Sequence, residues 1–93
     1  MKAKSPNSID VYVGNRVRVR RKTLGMTQNG LAELLGITFQ QIQKYEKGTN
    51  RIGASRLQRI SEILRVPVGF FFENGGAGPI DGETSELNSF LSS

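Results

Sequence analysis

The chain has 93 residues, enough for one compact domain, and it contains neither cysteine nor histidine; this excludes a disulfide framework and thiolate metal sites and removes the commonest zinc ligand and general base. No apolar run nears the ~18 residues of a membrane span, and MKAKSPNSID lacks the apolar stretch of a secretory signal, so the expectation is a cytoplasmic protein with no cofactor, no metal and no membrane. The net charge of +5 divides sharply: residues 1–65 hold all 13 Lys and Arg with four acids, whereas 66–93 hold four acids and no base, a pattern common in nucleic-acid binders and equally compatible with an ordinary solvated surface.

Residues 1–8, with Pro6 and Asn7 among small polar residues, read as a flexible arm. From Ile9 to Leu24 the apolar positions Val13, Val17 and Leu24 recur at helical spacing, and Gly25 supplies a left-handed end. Thr27 caps a second helix, Gln28 to Leu35, with Leu31, Leu34 and Leu35 inward; Gly36 turns the chain. Thr38 caps a third helix to about Glu46, closed by Gly48. A fourth runs from Ala54 to Leu64 through Leu57, Ile60, Ile63 and Leu64, and Pro67 opens a last helical piece, Val68 to Phe72. Beyond Phe72 the glycine-rich ENGGAGPIDGE reads as a linker, and the acidic tail carries Leu87, Phe90 and Leu91 at helical spacing, a short helix over 84–91. The fold class is therefore all-α: five short helices in one domain, 9–73, with a flexible C-terminal tail.

The densest information lies in QNGLAELLGITFQQIQKYEK, residues 28–47. Two short helices joined by so tight a turn cross closely. That geometry requires a small residue at the crossing (Ala32), a turn residue tolerating positive φ (Gly36) and apolar anchors (Leu31, Leu35, Ile42) around Ile37, which together describe a helix-turn-helix. With TQ, LA, LGIT, IQKYEKG and the distal LRVP and FF in order and spacing, the stretch from Ile9 to Phe72 resembles the DNA-binding domain of the XRE family, the phage-repressor and Cro-like bacterial regulators. The resemblance implies a five-helix, lambda-repressor-like domain that binds double-stranded operator DNA, usually as a homodimer. One departure is Gly30, where the family often has Glu or Lys; Thr27 thereby loses a capping-box partner.

On the third helix, Ile42 and Glu46 share one face, and the opposite face with the helix start offers Thr38, Phe39, Gln40, Gln43 and Lys44 for base readout. Glutamine pairs bidentately with adenine, lysine donates to guanine, and an aromatic ring packs on a thymine methyl; the bland reading is a row of solvated glutamines. Phe39 has two readings, toward DNA or into the turn as core. Backbone phosphates fall to Gln28 and Asn29 at the start of the second helix, where free N–H groups and the helix dipole favour an anion, and to Gln41, Lys47, Thr49, Asn50 and Arg51. In the resembling family the position of Gln28 commonly holds the DNA backbone. Arg56 and Arg59 are equally readable as solvated, and Arg16, Arg18, Arg20 and Lys22 wrap around the first helix, serving solubility and long-range steering.

Arg21 and Glu46 each place a charge on an apolar stripe, so they are expected to meet in an ion pair tying the first helix to the third, as family members often do. Phe70, Phe71 and Phe72 cannot all point inward; with Val68 and the tail residues Leu87, Phe90 and Leu91 they form the expected dimer interface, the other reading being two rings in the core and one against the tail. The leading function is a sequence-specific transcriptional regulator, a repressor that is nucleoid-associated when bound. The alternative is an antitoxin-type regulator whose tail binds a protein partner. An enzyme is not expected, for want of histidine, cysteine or clustered carboxylates.

Overall fold

In a computed structural model of the chain, which describes residues 7–73, four α-helices are followed by a short 3-10 helix: α1 Ser8–Thr23, α2 Gln28–Leu35, α3 Phe39–Lys47, α4 Ala54–Leu64 and the 3-10 segment Val68–Phe72. The final piece is thus not a fifth α-helix; its five residues follow Pro67, and the Phe70 N–H bonds the Pro67 carbonyl three residues back (2.9 Å). Leu87, Phe90 and Leu91, the linker and the expected helix over 84–91 lie outside the described residues.

Side-chain chemistry sets the helix starts. The Asn7 side chain accepts from the Ile9 and Asp10 N–H groups (2.7 and 3.4 Å), so α1 begins at Ser8, one residue before the sequence estimate, and Asn7 is its cap. Thr27 accepts from the Gly30 N–H (2.9 Å) and Thr38 from the Gln41 N–H (3.1 Å). All four helices end in one way: a residue with positive φ is followed by a residue whose N–H reaches back five positions, as in Ile37 to the Ala32 carbonyl (3.0 Å) and Val66 to that of Ser61 (3.0 Å). Three of these caps are glycines, and Gly36 (φ 72°) makes the turn between α2 and α3. The fourth is Arg65 at φ 62°, a conformation costing an L-residue about 1–2 kcal/mol.

The core takes Val13 and Val17 from α1, Leu31 and Ala32 from α2, Ile42 from α3, Leu57, Ile60 and Leu64 from α4, and Phe71 from the 3-10 segment. Each large side chain sealed there contributes about 1.5–3 kcal/mol relative to exposure. Two expected inward positions are corrected. Leu24 and Leu34 are exposed, because Leu24 lies past the end of α1 and Leu34 sits on the outer edge of the α2 stripe.

At Gly14, α1 lies close against the backbone of α3. A Cβ there would lie well inside contact distance of the Tyr45 carbonyl oxygen and 2.9 Å from that of Glu46. Only glycine lets the first helix lie directly on the backbone of the third. This crossing, with the α2–α3 packing around Ala32, sets the angle at which α3 leaves the body.

Two arginines of α1, expected to serve only solubility and steering, act in the fold. Arg16 Nε donates to the Phe70 carbonyl (3.0 Å), its guanidinium lies 3.9 Å from the Phe70 ring centre, and Nη2 reaches Glu73 (3.3 Å). Arg20 Nε donates to the Leu64 carbonyl (2.9 Å) at the end of α4. Both donate to carbonyls at helix ends, that of Phe70 also accepting from the Glu73 N–H (3.3 Å), and both fasten the C-terminal part of the domain to α1.

Candidate nucleic-acid interface

A buried network sets the orientation of α3. Arg21 Nε and Nη2 donate to the two carboxylate oxygens of Glu46 (2.6 and 3.0 Å), in the fork geometry that suits a guanidinium. Their side chains are 7% and 2% exposed. Arg21 Nη1 donates to the Met26 carbonyl (2.8 Å), so the pair also fastens the loop before α2. The Gln28 amide completes the set, donating from Nε2 to Glu46 Oε1 (2.9 Å). Side chains from three helices thus meet at the Glu46 carboxylate, with the loop joined to it through Arg21, and no buried side-chain polar atom among the described residues lacks a partner.

With Ile42 and Glu46 held inward, the opposite face of α3 is turned to solvent. Gln40, Lys44 and Lys47 are exposed; Gln41 and Gln43 are half-buried. Gln40 and Lys44 stand one turn apart on the same side. Thr38 is exposed, with its hydroxyl oxygen engaged in capping. Phe39 is half-buried and is not among the hydrophobic residues packed on the core.

The expected phosphate contacts fall into distinct environments. The Gln28 amide is drawn inward by the buried Glu46 acceptor (2.9 Å), while the start of α2, where free N–H groups were expected to favour an anion, lies beside exposed Asn29. Thr49 donates its hydroxyl to the Lys44 carbonyl (3.2 Å), while Asn50 is exposed. Arg51 is exposed and pairs through Nε with Asp10. Arg59 pairs with Glu62 on α4 (3.5 Å), and Arg56 is half-buried.

Of the expected dimer residues, Phe71 is corrected: it is fully buried in the core, edge-on to Phe70 with ring centres 5.5 Å apart, and has no surface to offer a partner. Phe70 is half-buried beneath Arg16, Val68 packs partly on the core, and Phe72 is 53% exposed.

Sequence reasoning missed three features that shape this site: Gly14, Asp10 and the carbonyl-binding arginines. A glycine inside a helical pattern is the one signal of the three that was readable in advance.

Among the described residues there is no group of three potential metal ligands and no helix long and apolar enough to cross a membrane. The geometry is that of a basic all-helical body carrying one short helix with an outward amide and lysine face beside the amide groups of a second helix start. Comparison with known proteins agrees. Residues 17–71 match the helix-turn-helix family. An HTH-type transcriptional regulator of Sinorhizobium medicae is 63% identical over 98 residues, covering 97% of this chain and 70% of that protein. The restriction-modification controller protein C.AhdI from Aeromonas hydrophila shares the fold at 23% identity (TM-score 0.67; 71% of this chain, 100% of that one). So does the biofilm master regulator SinR, solved in complex with DNA (24% identity, TM-score 0.59; 64% of this chain, 97% of that one). The chain belongs to the helix-turn-helix family of DNA-binding transcriptional regulators, of the XRE type, a class without enzymatic activity.

Proposed function

We propose that this regulator is a sequence-specific repressor that binds a two-fold symmetric operator as a homodimer in the bacterial cytoplasm, with α3 in the major groove of each half-site. The observation that carries this reading is the two-sidedness of α3: its inner face is fixed by Ile42 and the Arg21–Glu46–Gln28 network, while Gln40 and Lys44 stand free on the outer face. A helix held this firmly presents side chains at a defined angle, which base readout requires and charge attraction alone does not. Thr38, Phe39 and Gln43 flank the reading pair. The α2 start at Gln28 and Asn29, with Gln41, Lys47, Thr49, Asn50 and Arg51, surrounds it as the phosphate-holding rim. Val68 and Phe72 supply the apolar surface for the second copy, and half-sites then lie about one helical turn, ~34 Å, apart.

Two variants separate reading from holding. Gln40→Ala should flatten preference at one or two base pairs, costing about 1–3 kcal/mol against the preferred sequence. Arg51→Ala should weaken all sequences alike and lower the salt slope by about one unit. Binding titrations on the preferred and on single-substituted duplexes decide it; a uniform loss from Gln40→Ala with altered preference from Arg51→Ala would reverse the two surfaces.

A further inference from the structure

Arg51 lies in the loop between α3 and α4 with 70% of its side chain exposed, yet it is not a free surface cation. Its Nε sits 3.1 and 3.2 Å from the two carboxylate oxygens of Asp10, a residue of the first turn of α1 that is 41 positions away in sequence. The Asp10 side chain is only 15% exposed and is carried by a helix whose start is capped by Asn7. The flexible partner is therefore held by the rigid one. Among the described residues neither Nη group of Arg51 has a hydrogen-bond partner, so the outer edge of the guanidinium is presented to solvent with its four N–H donors unspent.

We propose that Asp10 is a positioning residue for the phosphate contact of Arg51: it takes the Nε edge, restrains the rotamers of a long side chain, and ties the loop to α1 so that the Nη edge meets a DNA phosphate in register with α3. The inference rests on the DNA-binding reading above and adds a residue to it. A guanidinium shared between a carboxylate and a phosphate uses its donors on two edges at once, and the rotamer freedom lost on binding is already lost before DNA arrives. Charge alone predicts the opposite role. A carboxylate beside a phosphate-binding surface repels the backbone, so its removal would strengthen binding. The sign of one substitution separates the two.

The experiment measures full-chain binding to the preferred duplex, recovered from a random pool, and to an unrelated duplex of equal length, for wild type, Asp10→Ala, Arg51→Ala and the double variant. Positioning predicts that Asp10→Ala weakens the preferred and the unrelated duplex alike, by about three- to tenfold, the scale of a partly lost charge-assisted contact. It predicts no further loss from Asp10→Ala in the Arg51→Ala background. Asp10→Asn, which keeps an acceptor for Nε and the side-chain shape, should fall between wild type and Asp10→Ala, and it serves in place of Asp10→Ala should that variant fail to fold. Tighter binding by Asp10→Ala or Asp10→Asn would overturn the proposal, as would an equal loss with and without Arg51. Either result leaves the DNA-binding reading standing when wild type selects a sequence; a wild type that selects none overturns both.

Discussion

Truncating Glu46 to alanine removes a carboxylate that accepts three hydrogen bonds and neutralises a buried guanidinium. In the folded domain Arg21 would keep only the Met26 carbonyl (2.8 Å), with its side chain 7% exposed and no counter-charge in reach of the two nitrogens now engaged. Leaving one partner of a buried pair costs about 3–5 kcal/mol. A single domain of this size holds about 3–10 kcal/mol in all, so the variant should lose at least about a third of its margin. At about 4–8 °C per kcal/mol, the midpoint should fall by more than 10 °C. Replacing both partners, Arg21→Met with Glu46→Leu, removes the stranded charge and should recover most of that loss, because apolar replacements of a buried pair are often neutral. Gln28 can then turn its amide to water from its half-buried position. Urea unfolding followed by far-UV circular dichroism gives both numbers. A single variant within about 1 kcal/mol of wild type, or a double variant no better than the single, would refute the view that this pair is a costly, interdependent lock.

Gly14→Ala sets two effects against each other. Helix propensity favours alanine by about 1 kcal/mol, but the Cβ runs into the Tyr45 and Glu46 carbonyls, and overpacking of this kind costs about 1–3 kcal/mol or more, so chemical denaturation should show net destabilisation; a more stable variant would contradict the backbone contact. Arg65→Gly should stabilise the domain by about 0.5–1 kcal/mol, since relief at φ 62° outweighs the greater backbone entropy of glycine; thermal melts giving a lower midpoint would show that Arg65 makes contributions its backbone does not reveal. Phe72→Glu should weaken self-association by more than tenfold in sedimentation while leaving the melting temperature near wild type, because the ring is half exposed and outside the core; unchanged association would remove this end of the domain from the interface.

Much of the fold was legible because local chemistry and tertiary demand agree. Thr27 and Thr38 cap, Gly25, Gly36 and Gly48 adopt positive φ, and Ile42 and Glu46 fall on one face by spacing alone. Arg65 was not legible as a cap, since nothing in its chemistry favours the left-handed region; the chain adopts it because Val66, half-buried, packs partly on the core beyond the end of α4. Arg16 and Arg20 were unreadable for another reason: their acceptors, the Phe70 and Leu64 carbonyls, lie 54 and 44 residues away and become neighbours only after folding. Leu34 shows the limit of periodicity, for a helical stripe of leucines does not tell which one lies at its edge. Gln28 shows competition for one amide: an exposed helix start suits a phosphate ligand, but a buried carboxylate with a spare lone pair takes the side chain first.

Base reading by α3 from a fixed orientation is decided by selecting bound sites from a pool of random duplexes, run in parallel for wild type and Gln40→Ala. Wild type should yield a symmetric consensus, and Gln40→Ala the same consensus with preference erased at one or two positions in each half-site. Enrichment of no sequence by wild type, or a consensus that Gln40→Ala leaves intact at every position, would contradict it.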